Sequence, residues 1–171
     1  SFGENIVLNK LTGWRYRMAF EIGLLLASIA AVESGNNDMA IGKAGEISRY
    51  QISPVVWEKH HKTFDPYRKG PSNLQVASQI AAAHVATIRS SIHPKIQQDE
   101  FDEIFWVAAC WNSGIAGATK AKWNKARLPR HVQDYAERVL NIYQALQQER
   151  LRKQINQQNQ NEPTATPAAK G

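Results

Sequence analysis

Glu33 closes the most apolar stretch of this 171-residue chain, IGLLLASIAAV over Ile22–Val32. A carboxyl at the C-terminal end of an apolar helix meets the negative end of the helix dipole and a low-dielectric wall. Both disfavour ionisation. An acid held protonated near neutral pH can donate to a leaving oxygen, which is what glycosidic cleavage requires. The plain alternative is a surface glutamate that ends a helix. Glu46, thirteen residues further on, offers a second carboxylate, and its plain alternative is an ion pair with Lys43 or Arg49.

Other chemistries lack their residues. The chain contains no H-E-x-x-H, no G-x-S-x-G, no Gly-rich phosphate loop and no paired Cys motif. His60 and His61 are neighbours, about 100° apart around a helix, and are expected as an exposed pair rather than metal ligands. His84 falls on an apolar helical face and is expected as a partly buried core histidine. Cys110 is alone, so no intrachain disulfide can form, and its apolar setting predicts an inert thiol. Neither a metal nor an organic cofactor is expected.

The elements that must position Glu33 follow from periodicity, which is helical almost throughout. A first helix is predicted from about Trp14 to Val32, stopped by Ser34-Gly35 and two asparagines. A Gly-, Asn- and Ser-rich loop follows from Asn36 to Ser53, with room for a small hairpin. Ser53-Pro54 should open a short helix to about His61, and Pro71-Ser72-Asn73 a third. Val76, Ala77, Ile80, Ala81, His84, Val85 and Ile88 give that third helix one apolar face. Asp102 to Asn112 is apolar nearly all round and should be the central buried helix, ended by Gly114. A fifth is predicted over Ala116–Asn124, and a last from Arg130 to about Gln154. Beyond Leu151 the chain turns polar and repetitive, so a single domain over 1–150 and a disordered tail over 151–171 are expected.

Residues Ala31–Ile52, AVESGNNDMAIGKAGEISRYQI, resemble the lytic transglycosylase and goose-type lysozyme-like family. Glu33-Ser34 matches its Glu-Ser at a helix end, and Gly45-Glu46-Ile47-Ser48-Arg49-Tyr50-Gln51 its Gly-containing loop. Ala109-Cys110-Trp111-Asn112-Ser113-Gly114 is similar to the family's Ala-x-Tyr-Asn-x-Gly, and Tyr135 to Val139, with Tyr143 beyond, to its last element. Three positions depart from the pattern: Ser48 stands for a Gly, Glu46 for a small residue and Trp111 for a Tyr. The resemblance implies a mostly α, lysozyme-like single domain that binds peptidoglycan glycan strands and cleaves their β-1,4 bond. Glu33 would then be the general acid and Tyr135 its orienting hydroxyl. Gln51 and Asn112 would hydrogen-bond the sugar, Tyr50 and Trp111 would stack on it or else belong to the core, and Ser34 would polarise an acetamido carbonyl or cap the helix. Glu46 occupies the position of a second acidic residue in goose-type enzymes. An inverting hydrolase needs such a carboxylate ~6.5–9.5 Å away, and a lytic transglycosylase needs none.

Twenty-one Lys and Arg against fifteen Asp and Glu give +6, with clusters such as Lys120, Lys122, Lys125, Arg127 and Arg130. That suits an anionic wall polymer, or nothing beyond solubility. No zinc-finger spacing or arginine-rich arm supports a nucleic-acid partner. Eleven apolar residues fall short of the ~20 a membrane span needs. The chain starts at Ser1 rather than Met, so either a leader has been removed or the chain has been trimmed. The peptidoglycan that the resemblance implies as substrate puts the expected site of action outside the cytoplasm, with the tail a candidate tether to envelope machinery. Two other classes stay open: a non-catalytic wall-binding module, and a basic helical nucleic-acid binder for which charge alone speaks.

Overall fold

The computed structural model describes residues 22–60, 71–96 and 99–161. The architecture is mostly α. Helix α1 covers 22–34, α2 Pro54–His60, α3 Pro71–Ile92, α4 Glu100–Lys120 and α5 Arg130–Asn161, with a 3-10 turn at Lys125–Arg127. Among the described residues none of the helices is long and apolar enough to cross a membrane. The expected helix start at Trp14 lies outside the described residues, as do His61 and residues 162–171.

Helix α4 is the hub. Its run Ile104–Cys110 is buried on every side, as its all-round apolar sequence predicts, and α3 and α5 pack against it. Asp99 caps its first turn by accepting from the Phe101 N–H at 3.1 Å, and Glu100, Asp102 and Glu103 complement the positive end of the dipole. Two of those acids also tie the neighbours down: Arg89 of α3 donates to Glu103 at 2.5 Å, and Tyr143 of α5 to Glu100 at 2.7 Å. Ala77, Ile80, Ala81, Val85, Ile88 and Ile92 form the buried stripe of α3, and Val132, Tyr135, Ala136, Val139 and Tyr143 that of α5.

The loop between α1 and α2 is short of strand structure but not of order. Ile47 pairs with Ile52 through two backbone bonds of 2.9 and 3.0 Å, and Ile41 bridges Ile47 on the other side. The predicted hairpin is thus reduced to isolated bridges.

One boundary is corrected. Helix α5 does not give way to a tail at Leu151 but runs on to Asn161. Gln, Arg, Lys and Leu are good helix formers, no Gly or Pro intervenes before Pro163, and Lys153 pairs with Glu149 one turn back at 2.7 Å. Residues 151–160 are all exposed, so this overhang of about 15 Å is helical by local preference and not by packing.

Gly114 breaks α4 with φ 74° and ψ 162°, a region open essentially to glycine alone. A Cβ there would meet nothing within 4 Å, so only the backbone resists substitution. Gly23 of α1 is equally uncrowded but helical. Gly114→Ala is therefore expected to destabilise by about 1–3 kcal/mol, and Gly23→Ala to stabilise by about 0.5–1 kcal/mol. Urea denaturation of the two variants checks the opposite signs.

Candidate active site

The last turn of α1 presents Glu33, and the chain then reverses through Gly35 and Asn36, both in left-handed backbone (φ 63° and 66°). Gly and Asn are the residue types that adopt it at least cost. Their N–H groups return to the carbonyls of Ala31 and Ala30 at 3.1 Å each, which closes the helix end just past the acid. Glu33 is half-buried and accepts a 2.7 Å hydrogen bond from the Tyr135 hydroxyl, and the Trp111 indole faces the same carboxyl. Burial raises its pKa above the ordinary carboxyl value. The Tyr135 and Trp111 donors pull the other way, Glu46 adds to the rise, and Arg138 opposes it. Tyr135 is itself buried, and burial, with Glu33 beside it, pushes its pKa far up, so the phenol stays a neutral donor.

Glu33 opens into a groove of about 420 Å³ walled by the loop on one side and by α2, α3 and α4 on the other. Glu46, Gln51, Trp111 and Asn112 line it, together with Gly42, Lys43 and His84. The loop carries backbone strain beside it. Ser48 and Gln51 both have positive φ (72° and 48°), and the Ser48 carbonyl receives the Gln51 backbone N–H at 3.1 Å and its side-chain amide at 2.9 Å. Gly would adopt the left-handed backbone of Ser48 at less cost. Gly42 packs so closely that a Cβ would strike the Glu46 carboxylate and come within 2.7 Å of the Gln51 amide oxygen. The Glu46 carboxylate accepts the Ala44 N–H at 3.0 Å.

Several expectations are corrected. Arg49 does not pair with Glu46; its guanidinium grips both oxygens of Asp38. Tyr50 does not reach the groove: it is buried, bonds Ser78 at 3.2 Å and borders a separate cavity with Asp38 and Arg49. Of the two roles open to Ser34, the structure shows the cap. Its hydroxyl donates to the Arg49 carbonyl at 2.9 Å and accepts the Asn37 N–H at 3.0 Å, so it ties the loop to the helix end. His60 is half-buried rather than exposed, since it turns towards α3 and sets its ring 5.6 Å from that of His84. His84 is half-buried as expected but stands in the groove wall, 5.3 Å ring to ring from Trp111. Sequence reading missed it because an apolar helical face looks the same whether it meets a core or a cleft. Cys110 is buried, its thiol pushed up to about 11 by desolvation. Among the described residues no three His, Cys, Asp or Glu side chains gather where a metal could sit.

Compared with known proteins, the sequence matches no family model and no curated protein.

The arrangement supplies a protonatable carboxyl, a neutral phenol that orients it, and amides and an indole along an open cleft. Its pKa direction sets a stability test. Below the ordinary carboxyl value of 4.5, Glu33 is neutral both folded and unfolded, and Glu33→Gln should match the wild type. As pH rises the unfolded chain ionises first, so the wild type loses stability relative to Gln until pH passes the raised folded value. Chemical denaturation of both proteins between pH 3 and 8 is expected to show this gap opening with pH.

Proposed function

We propose that this protein cleaves the β-1,4 bond between N-acetylmuramic acid and N-acetylglucosamine in peptidoglycan, as a lytic transglycosylase acting outside the cytoplasm. The observation that carries the reading is Glu33, half-buried, bonded by the Tyr135 hydroxyl and open to a groove. The order and content of the four resembling motifs support it, since Glu33, Gln51, Trp111, Asn112 and Tyr135 come from three of the folded elements and the loop to one place.

In this mechanism protonated Glu33 gives its proton to the glycosidic oxygen as the bond to the muramyl C1 breaks. Positive charge develops on the sugar ring, facing the carboxylate just formed. Glu33 then takes the proton of the muramyl 6-hydroxyl, whose oxygen attacks C1 and closes a 1,6-anhydro ring. The acid is thereby restored and no water is consumed. Tyr135 holds the carboxyl in one orientation through both steps. Gln51 and Asn112 offer amides to the sugar hydroxyls and N-acetyl groups, and the Trp111 ring offers an apolar face.

A second reading, hydrolysis, is favoured by Glu46: it lines the same groove, Arg49 is committed to Asp38, and Glu46 raises the Glu33 pKa through space. A carboxylate so placed could activate water. Glu33→Gln keeps the shape and deletes the transferable proton, so it should cost about 10²–10⁴-fold in glycan cleavage on either reading. The two separate on Glu46→Gln and on product mass. Transglycosylation predicts a small loss and ends one water lighter than reducing ends. Reducing ends alone, with Glu46→Gln crippled by a similar factor, would make the protein a muramidase. Undiminished activity in Glu33→Gln would remove both.

A further inference from the structure

Trp111 sits half-buried at the groove wall, three residues before the Gly114 break, and α4 alone does not fix its ring. What meets the ring is His84, from the middle of α3, at 5.3 Å between centroids and 63° between planes. Behind His84 stands His60 of α2, at 5.6 Å and 67°. The three rings form an edge-to-face row that ends on the residue donating to Glu33, and both His84 and Trp111 border the groove. Edge-to-face contacts fix ring orientation as well as distance.

Packing alone does not account for the imidazoles. Among the described residues the buried His84 Nδ1 and His60 Nε2 atoms have no hydrogen-bond partner. An atom so placed is costly, and a hydrocarbon of similar size would spare that cost. Charge is not the reason either, because burial, with His60 and Lys59 nearby, lowers the His84 pKa to about 4. His60 is lowered too, by burial and then by Lys59. The row is thus neutral at ordinary pH and places no cation beside Glu33, which would strip its proton.

We propose that His84 is a positioning residue: its ring, backed by His60 and set edge-on to Trp111, holds the indole N–H on the Glu33 carboxyl. This rests on reading Glu33 as the acid, but the geometry can be tested without turnover. The groups facing Glu33 are Tyr135 and Arg138 from α5, Trp111 from α4 and Glu46 from the loop; those facing His84 are His60 and Lys59 from α2. The indole donor lowers the Glu33 pKa, so its loss or displacement raises it.

The test is a carbon-13 carboxyl titration of Glu33 by NMR in the wild type, Trp111→Phe, His84→Ala, the double variant and His84→Phe. Trp111→Phe is expected to move the Glu33 midpoint upward, and His84→Ala to move it the same way. The double variant should go no further than Trp111→Phe alone, and His84→Phe, which keeps an aromatic edge, should return towards the wild type. A His84→Ala midpoint at the wild-type value, or a shift that adds to that of Trp111→Phe, overturns the proposal. If His84→Ala does not fold, His84→Leu fills the volume without an aromatic edge and carries the same comparison. A protein that releases no fragments from peptidoglycan would still give these titrations, so failure of the reaction and failure of the positioning role are read separately.

Discussion

The 2.7 Å bond from the Tyr135 hydroxyl to Glu33 joins residues 102 apart, and the rest of the site depends on it. A carboxyl half-withdrawn from water is costly as an anion and loses orientation as a free acid. A neutral phenol answers both needs, because it donates to the carboxylate without adding a charge. For the two to meet, the end of α1 and the start of α5 must lie side by side. That is possible only because α4, buried along Ile104–Cys110, gives α3 and α5 one apolar surface to pack on. The fold's hydrophobic burial therefore positions the acid indirectly, through which helix ends it brings together.

The loop works under a different constraint. It has no sheet to hold it, only isolated bridges around Ile47, so its shape is set by local bonds and by residues in unfavoured backbone. Left-handed Ser48 and Gln51 each cost of order 1–3 kcal/mol. That cost is offset by the buried Ile47 and Ile52 side chains and by the two bonds Gln51 makes to the Ser48 carbonyl. Ser34 completes the arrangement by clamping the Arg49 carbonyl to the end of α1. Strain and clamp together place Gln51 and Glu46 across from the acid, with Gly42 leaving the room they need.

Periodicity made the helices legible, because burial on one face leaves a 3.6-residue imprint. The acid was legible for the same reason: a carboxylate after eleven apolar residues stands out chemically. What periodicity does not encode is which side of an apolar face meets solvent-filled space. Tyr50, open between core and groove in the sequence, is therefore settled only by the fold, as core, and His84, expected in the core, stands in the groove wall. The pairing of Arg49 with Glu46 was misread for a related reason, since the partner that claims it, Asp38, follows from a backbone path that no repeat announces. The length of α5 was misjudged on composition. A glutamine-rich run with nothing to bury looks disordered, yet it also lacks any residue that would end a helix already under way.

The pairing of Arg49 with Asp38 shapes the chemistry from outside the groove. Had the guanidinium turned to Glu46, it would have neutralised the second carboxylate and removed its through-space push on Glu33. The Asp38 carboxylate holds it on the far side of the loop instead, where the guanidinium beside it keeps Asp38 below its ordinary range. Among the described residues Glu46 accepts from the Ala44 N–H, in a groove that also contains Lys43. Two carboxyls then share one cleft, and like charges close together resist ionising together. Glu33, withdrawn from water and oriented by the phenol, is the carboxyl whose pKa is raised. Whether the Glu46 carboxyl meets a water or only the loop's own backbone is what divides the two proposed reactions, hydrolysis and ring closure.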